Sequence, residues 1–257
     1  MYPLAVQLLW SALIWATAHA GTVRLQAEDG QTLYADHSGS GERGVLLVHA
    51  QDRSAKDWTS LAEELTKAGH QVLAIDLRGH GRSEMASDQP MESAESLALD
   101  VRAAVDWMRS NGVQHLTLVG AELGANVALQ AAASDADIRR LVLLSPGLNI
   151  KGVRVVEPIG RFSGRPLMLV ASRGDPVSSK AATLLESRST GATTLVLTEG
   201  GARGARMLNT DPSLEGTMLA WLNERPGDLK PDNRLGPASS STPSAVTTSG
   251  TLLEDRN

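Results

Sequence analysis

Short apolar runs alternate with amphipathic stretches along most of the chain. Val23 to Ala27 and Gln31 to Ala35 read as strands, and the Glu28-Asp29-Gly30 segment between them carries an Asp-Gly hairpin signal. Val45 to Val48 is continuously apolar, as in a strand covered on both faces. Trp58, Leu61, Ala62, Leu65 and Ala68 then fall on one helical face, with Gly69 as a stop. Val72 to Ile75 is the next strand, and Leu97, Val101, Ala104, Val105 and Met108 make a second helical stripe. Leu116 to Val119, Leu141 to Leu144, Leu167 to Val170 and Leu195 to Leu197 are further short strands. Helical segments are expected at roughly 123–134 and 177–189, and a last helix from Asp211-Pro212, with Leu214, Met218, Trp221 and Leu222 on its buried side. Strand and helix alternating through one core predict an α/β fold, a mostly parallel sheet with helices on both faces. Ser145 to Arg165 is left as a loop of about 20 residues between two strands, long enough for a small lid but not for a full cap domain.

The two ends break this pattern. Residues 1–23 contain no charged side chain, and Ala18-His19-Ala20 is an A-x-A cleavage pattern, so 1–20 reads as a signal peptide and the protein as exported, periplasmic or extracellular. The alternative is a membrane anchor through an uncleaved signal; no integral span is expected after cleavage. From Pro226 to Asn257, sixteen of 32 residues are Ser, Thr, Pro or Gly, which reads as a disordered tail. The folded domain is then 21–225. The net charge of -5 excludes a large basic field for nucleic acid. With no cysteine, disulfides, thiolate metal sites and a cysteine nucleophile are excluded. No His or carboxylate cluster has metal-ligand spacing, so neither a metal nor a cofactor is expected. Oligomeric state is open.

Leu118-Val119-Gly120-Ala121-Glu122-Leu123-Gly124 ends a strand and opens a helix, the context of the nucleophile elbow, G-x-S-x-G. Small residues are needed two positions either side of the apex, and Gly120 and Gly124 supply them. On this motif the chain resembles the α/β-hydrolase superfamily, especially its small dienelactone-hydrolase-like members. Three further segments carry the resemblance. Val48-His49-Ala50-Gln51 is similar to the family's oxyanion-loop segment. Asp76-Leu77-Arg78-Gly79-His80-Gly81-Arg82-Ser83 is similar to its D-x-R-G-x-G-x-S loop, and Ser172-Arg173-Gly174-Asp175-Pro176 to its acid loop. The resemblance implies a sheet of about eight strands and oxyanion-hole amides at Gln51 and Leu123.

It also implies a triad in the order nucleophile, acid, histidine, and here the residues depart from the pattern. The apex is Glu122. The histidine loop fits Thr198 to Leu208, with Arg203 where the family has histidine. The six histidines stand at 19, 37, 49, 70, 80 and 115, so none follows the elbow. Asp175 alone keeps its type, with a helix N-cap as its structural alternative. Family members with Asp at the elbow still need histidine to activate water, and Arg203 stays protonated. His49 and His80 read as loop-shaping residues, and His37, His70 and His115 as surface or strand-edge residues. Met168, Trp58, Trp107 and Trp221 read as core. An Arg-Gly-Asp tripeptide at 173–175 sits in the acid loop rather than in an adhesion site.

Carboxylate, carboxylate and guanidinium at the three triad positions predict a Glu122–Arg203–Asp175 ion cluster, the Arg fork serving both carboxylates. The expected function is a catalytically inactive pseudo-hydrolase with a structural role or a small-molecule ligand in the triad cleft. The alternatives are an active hydrolase of small esters or lactones with a non-standard constellation, and a passive scaffold for a protein partner.

Overall fold

The computed structural model describes residues 21–85 and 93–224. The signal-peptide and tail readings, 1–20 and 226–257, lie outside the described residues. Strand β1 (Gly21–Gln26) pairs antiparallel with β2 (Thr32–Ser38). Gly30, at φ +85°, makes the tight turn between them that the Asp-Gly pair signals. Then follow β3 (Arg43–Val48), a single 3-10 turn (Ala55–Trp58), α1 (Thr59–Lys67), β4 (Gln71–Asp76), α2 (Ala94–Ser110), β5 (His115–Ala121), α3 (Leu123–Ser134) and β6 (Ile138–Leu144). Next come two short strands, β7 (Asn149–Ile150) and β8 (Val153–Arg154), then α4 (Val156–Arg161), β9 (Leu167–Ser172), α5 (Pro176–Arg188), β10 (Thr193–Thr198), α6 (Arg206–Thr210) and α7 (Pro212–Asn223). α7 starts where Asp211 accepts from the Ser213 amide at 3.1 Å, followed by Pro212 at the first helical position.

Eight strands form one sheet in the order β1-β2-β4-β3-β5-β6-β9-β10. Only β2 runs against the others. The chain leaves β3 toward one edge through β4 and returns to the other side of β3 with β5. This switch point opens a crevice beyond the carboxyl ends of β3 and β5, the usual place for a site in an open α/β sheet.

Side-chain alternation on the buried strands makes two cores. Leu46, Leu118, Leu143 and Leu169 face α2, α3, α4 and α5. Val45, Leu47, Val119, Val142 and Val170 face α1, α6 and α7, where Trp58, Met218 and Trp221 pack. Met168 is core as expected, whereas Trp107 is only half-buried and lies edge-on to His37.

Two expectations are corrected. The 145–165 stretch is not a bare loop. Its β7–β8 hairpin and α4 dock on α3: Asn126 donates to the carbonyls of Gly147 and Val153 at 2.8 Å each, and Val153, Val155, Ile159 and Phe162 are buried. Elements of two to six residues are too short to print a periodicity, so the sequence pattern missed them. His70 is not at the surface. It is 4% exposed, and its Nε2 lies 3.0 Å from Asn223 Oδ1 because the end of α7 covers it.

The D-x-R-G-x-G-x-S loop is a buried polar scaffold. Asp76 accepts from the amides of Ala55 (2.7 Å) and Arg82 (3.2 Å), and Gly81 is required because a Cβ there would stand 2.5 Å from the Asp76 carboxyl. Ser83 Oγ donates to the Asp76 carbonyl and accepts from the Tyr34 amide. Arg78 is 1% exposed and bridges Asp100 (2.7 Å) and Asp29 (2.6 Å), and its own amide donates to Asp100. Burial pushes the Asp100 carboxyl up, against the pull of the Arg78 charge. Removing one member of such a pair strands its partner without compensation, so Arg78→Ala is expected to cost about 3–5 kcal/mol in urea unfolding. A loss under about 1 kcal/mol would contradict this role.

Candidate functional site

The elbow forms at the end of β5. Glu122 has φ +49° and ψ -111°, a strained conformation for a residue with a side chain. The turn is held by its neighbours. The Glu122 amide donates to the Leu144 carbonyl at 2.8 Å, and the Ala125 and Asn126 amides return to the Glu122 carbonyl. A Cβ on Gly124 would collide with the carbonyl oxygens of Val48 and His49, and one on Gly120 would stand 2.6 Å from the Ala125 Cα. The two glycines therefore permit contact between α3, β5 and the end of β3, as the motif requires.

Across the switch point, His49 is fully buried. Its Nε2 accepts from the Leu77 amide at 3.0 Å, so the proton sits on Nδ1, which is 2.7 Å from the Ala50 carbonyl. Burial lowers its pKa to about 4. With both nitrogens engaged in backbone contacts it shapes the loop and is not available as a base. Among the described residues, neither the Gln51 nor the Leu123 amide donates to a backbone carbonyl in the loops and turns. Both are in the place that the resemblance implies for an oxyanion hole.

The acid loop and the loop after β10 are stitched together. The Arg173 amide donates to the Thr198 carbonyl (2.9 Å) and the Gly174 amide to the Gly200 carbonyl (2.7 Å), and a side chain on Gly174 would collide with that carbonyl. Ser172 Oγ also donates to the Gly200 carbonyl. Further along, the Gly204 amide donates to Ser145 Oγ at 2.9 Å, and Ser145 is itself buried with φ +51°. These ties carry Arg203 between the acid loop and the elbow.

The three triad positions do come together. Arg203 Nε lies 2.8 Å from Asp175 Oδ2 and 3.7 Å from Glu122 Oε2. The expected fork, one carboxylate to each side of the guanidinium, is not what forms. One atom, Nε, approaches both acids, and it makes no aligned hydrogen bond. The contacts are therefore charge–charge contacts at a guanidinium that is 39% exposed, with Asp175 at 8% and Glu122 at 24%. Asp175 fills both of its expected roles, because it also caps α5: it accepts from the Val177 amide (3.3 Å) and from Ser178 Oγ (2.6 Å). The Glu122 carboxylate leans on the Gly204 backbone, where an added Cβ would meet Oε1 at 2.9 Å.

The sequence reading missed several contributors. Arg53 is ion-paired with Asp57 at 2.6 Å, and that carboxylate raises its pKa, with a lesser effect of the Glu122 charge. Ser145, Ser178 and Gly204 had no motif to signal them, since each acts through one backbone or side-chain contact between distant segments. Among the described residues, no group of three or more His, Asp or Glu side chains could hold a metal ion, and no helix is long and apolar enough to cross a membrane.

Comparison with known proteins places this geometry. Residues 39–190 match the family model described as serine aminopeptidase, S33. The chain is 30% identical over 143 residues to lipase LipV of Mycobacterium tuberculosis, covering 55% of this chain and 50% of that protein. It is 30% identical over 115 residues to protein phosphatase methylesterase 1 of Bos taurus, covering 44% of this chain and 30% of that protein. The chain thus spans half or less of these curated relatives. Among solved structures, the Pyrococcus furiosus esterase Pf2001 superposes with a TM-score of 0.65 at 20% identity, over 80% of this chain and 89% of that one. That likeness shows the α/β-hydrolase fold.

Two outcomes follow from the geometry. Arg203→Ala is expected to lower stability by about 1 kcal/mol, well below the loss at a fully buried pair because water reaches the guanidinium; an unchanged urea midpoint would leave the cluster without a structural role. His49 sets a pH dependence. Its folded pKa of about 4 lies below the ordinary 6.5. Between those values the unfolded chain binds a proton that the folded one refuses, so stability falls as pH drops through that window and is unaffected above it. At pH 5 the loss from His49 is about 2 kcal/mol relative to pH 7. Urea midpoints of wild type and His49→Gln at the two pH values check this, the variant showing the shallower dependence.

Proposed function

The chain belongs to the serine aminopeptidase S33 family within the α/β-hydrolase superfamily, and from that premise we propose that it has the hydrolase scaffold without triad hydrolysis. The contact of Arg203 Nε with Asp175 Oδ2 at 2.8 Å carries this reading. In the triad mechanism the acid orients a neutral imidazole that takes a proton from the nucleophile. Here the acid faces a permanent cation that cannot accept one. The elbow side chain is a carboxylate, which would repel a developing oxyanion beside the Gln51 and Leu123 amides.

The role is structural at the triad position rather than catalytic. Glu122, Arg203 and Asp175 fill the space with their own charges, and three of the cavities in the fold lie between α2 and α3, beside α5, and between α1 and the β1–β2 hairpin. A passive docking scaffold has less support: the large exposed apolar side chains among the described residues are Leu148 and Val177, too few for a patch of several hundred Å². Kinship with the small dienelactone-hydrolase-like members is part of the reading, supported by the short hairpin and helical turn that stand between β6 and β9 in place of a cap domain. Export through residues 1–20 completes it, supported by their lack of charge and by the Ala18-His19-Ala20 pattern.

The test is turnover of p-nitrophenyl acetate by the full chain beside Glu122→Gln and the double variant Glu122→Ser/Arg203→His. The expected outcome is a wild-type rate at the buffer background and a double variant at least tenfold above it, with thermal unfolding of all three confirming folded protein. Wild-type turnover that disappears in Glu122→Gln would overturn the reading in favour of an active hydrolase with a carboxylate nucleophile.

A further inference from the structure

Triad residues gather at the carboxyl ends of the strands. The opposite edge of the sheet holds a different cluster. A cavity of about 270 Å³ is lined there by Arg43 at the start of β3, His115 at the start of β5, Arg139 and Arg140 near the start of β6, His70 before β4, and Leu222 to Glu224 at the end of α7. Gly44, Leu116 and Leu222 give it an apolar floor. The elbow lies at the far end of β5, about 20 Å away at the ordinary rise per residue.

The charges in this cavity are unbalanced. Three guanidiniums face one carboxylate, that of Glu224, while burial first and the Arg43 and Arg140 charges next lower the pKa of His70. Arg43 and Arg139 form no ion pair among the described residues, and Arg43 makes a single hydrogen bond, to the Ala68 carbonyl at 3.2 Å. Arg140 is the central member. It is 5% exposed, its guanidinium stacks 4.1 Å from the Trp221 ring, and its Nη atoms donate to the carbonyls of Trp221, Leu222 and Glu224. Capping α7 explains those donors, but Nε is buried with no partner, as is Nδ1 of His70. Burial lowers the Arg140 pKa to about 10, and the Glu224 charge only partly opposes that. A buried cation without a hydrogen-bonded counter-charge is expensive, so the site has a strong preference for an added anion.

We infer that this cavity binds a small organic carboxylate, its head among Arg139, Arg43 and Arg140 and a short apolar body on the Leu116 and Leu222 floor. Planar guanidiniums match the carboxylate fork, and the volume suits an acid of roughly benzoate size better than a long chain. Arg139 is exposed and borders the cavity without bracing the fold, which makes it the informative position.

The experiment is calorimetric titration of the full chain with sodium benzoate, and separately with inorganic phosphate, at constant ionic strength. Wild type is compared with Arg139→Gln and with Arg188→Gln, an exposed arginine on α5 that does not line the cavity. The expected result is benzoate binding that weakens at least fivefold in Arg139→Gln and is unchanged in Arg188→Gln, with phosphate binding more weakly than benzoate. No benzoate binding by wild type, or equal weakening in both variants, would overturn the site. Phosphate binding as tight as benzoate would overturn the organic-acid assignment, because the apolar floor would then contribute nothing. The outcome is independent of the ester assay, which reads the other edge of the sheet.

Discussion

Gly124 lets the first turn of α3 press against the carbonyls of Val48 and His49, and Gly120 lets the same turn close on the end of β5. No side chain fits at either contact. This backbone approach forces Glu122 into its strained positive-φ apex, points its carboxylate out of the sheet, and holds the β3 loop with Gln51 alongside it. The contact lies at the switch point of the strand order, where the helices on the two faces diverge. The strain at Glu122 persists because its amide and carbonyl are both engaged, by Leu144 on one side and by Ala125 and Asn126 on the other. The scaffold that presents a nucleophile is thus intact, whatever residue occupies the apex.

Around that apex the chemistry has been rewritten in charge. A serine at the elbow is neutral and tolerates an imidazole beside it. A glutamate adds a second carboxylate beside Arg203, which Asp175 already contacts, and neighbouring carboxylates favour a cation between them. Arg203 supplies it. The charges at 122 and 203 are complementary, and Arg203 has Asp175 as its nearer partner at 2.8 Å. The nearby buried histidine, His49, spends both nitrogens on backbone contacts and is held neutral.

Much of this was legible in the sequence, for identifiable reasons. Strands buried on both faces give continuous apolar runs, so β3, β4, β5, β6 and β9 are legible to within three residues at either end. The elbow and the Asp76–Ser83 loop were readable because their glycines are steric requirements, as the near contact of Gly81 with Asp76 shows. The convergence of 122, 175 and 203 followed from the order of the motifs. The rest was hidden because it depends on tertiary contact. The burial of His70 comes from the end of α7, more than 150 residues away in the chain. The β7–β8 hairpin is held by Asn126 and Gln130 of α3. The single-atom approach of Arg203 to both acids, in place of a fork, is set by the Gly174–Gly200 and Gly204–Ser145 hydrogen bonds.

The two edges of the sheet make opposite use of arginine. At the carboxyl edge several guanidiniums meet carboxylates: Arg203 with Asp175, Arg53 with Asp57, Arg173 with Glu199, and deeper down Arg78 with Asp100 and Asp29. At the amino edge Arg43, Arg139 and Arg140 lack such partners, although Arg140 is nearly as buried as any charge in the molecule. Helix capping accounts for its Nη donors and leaves Nε unsatisfied. A fold that balances its charges where catalysis would occur, and leaves them unbalanced about 20 Å away at the far end of β5, has its unmet demand for an anionic ligand at the amino edge, not in the cleft.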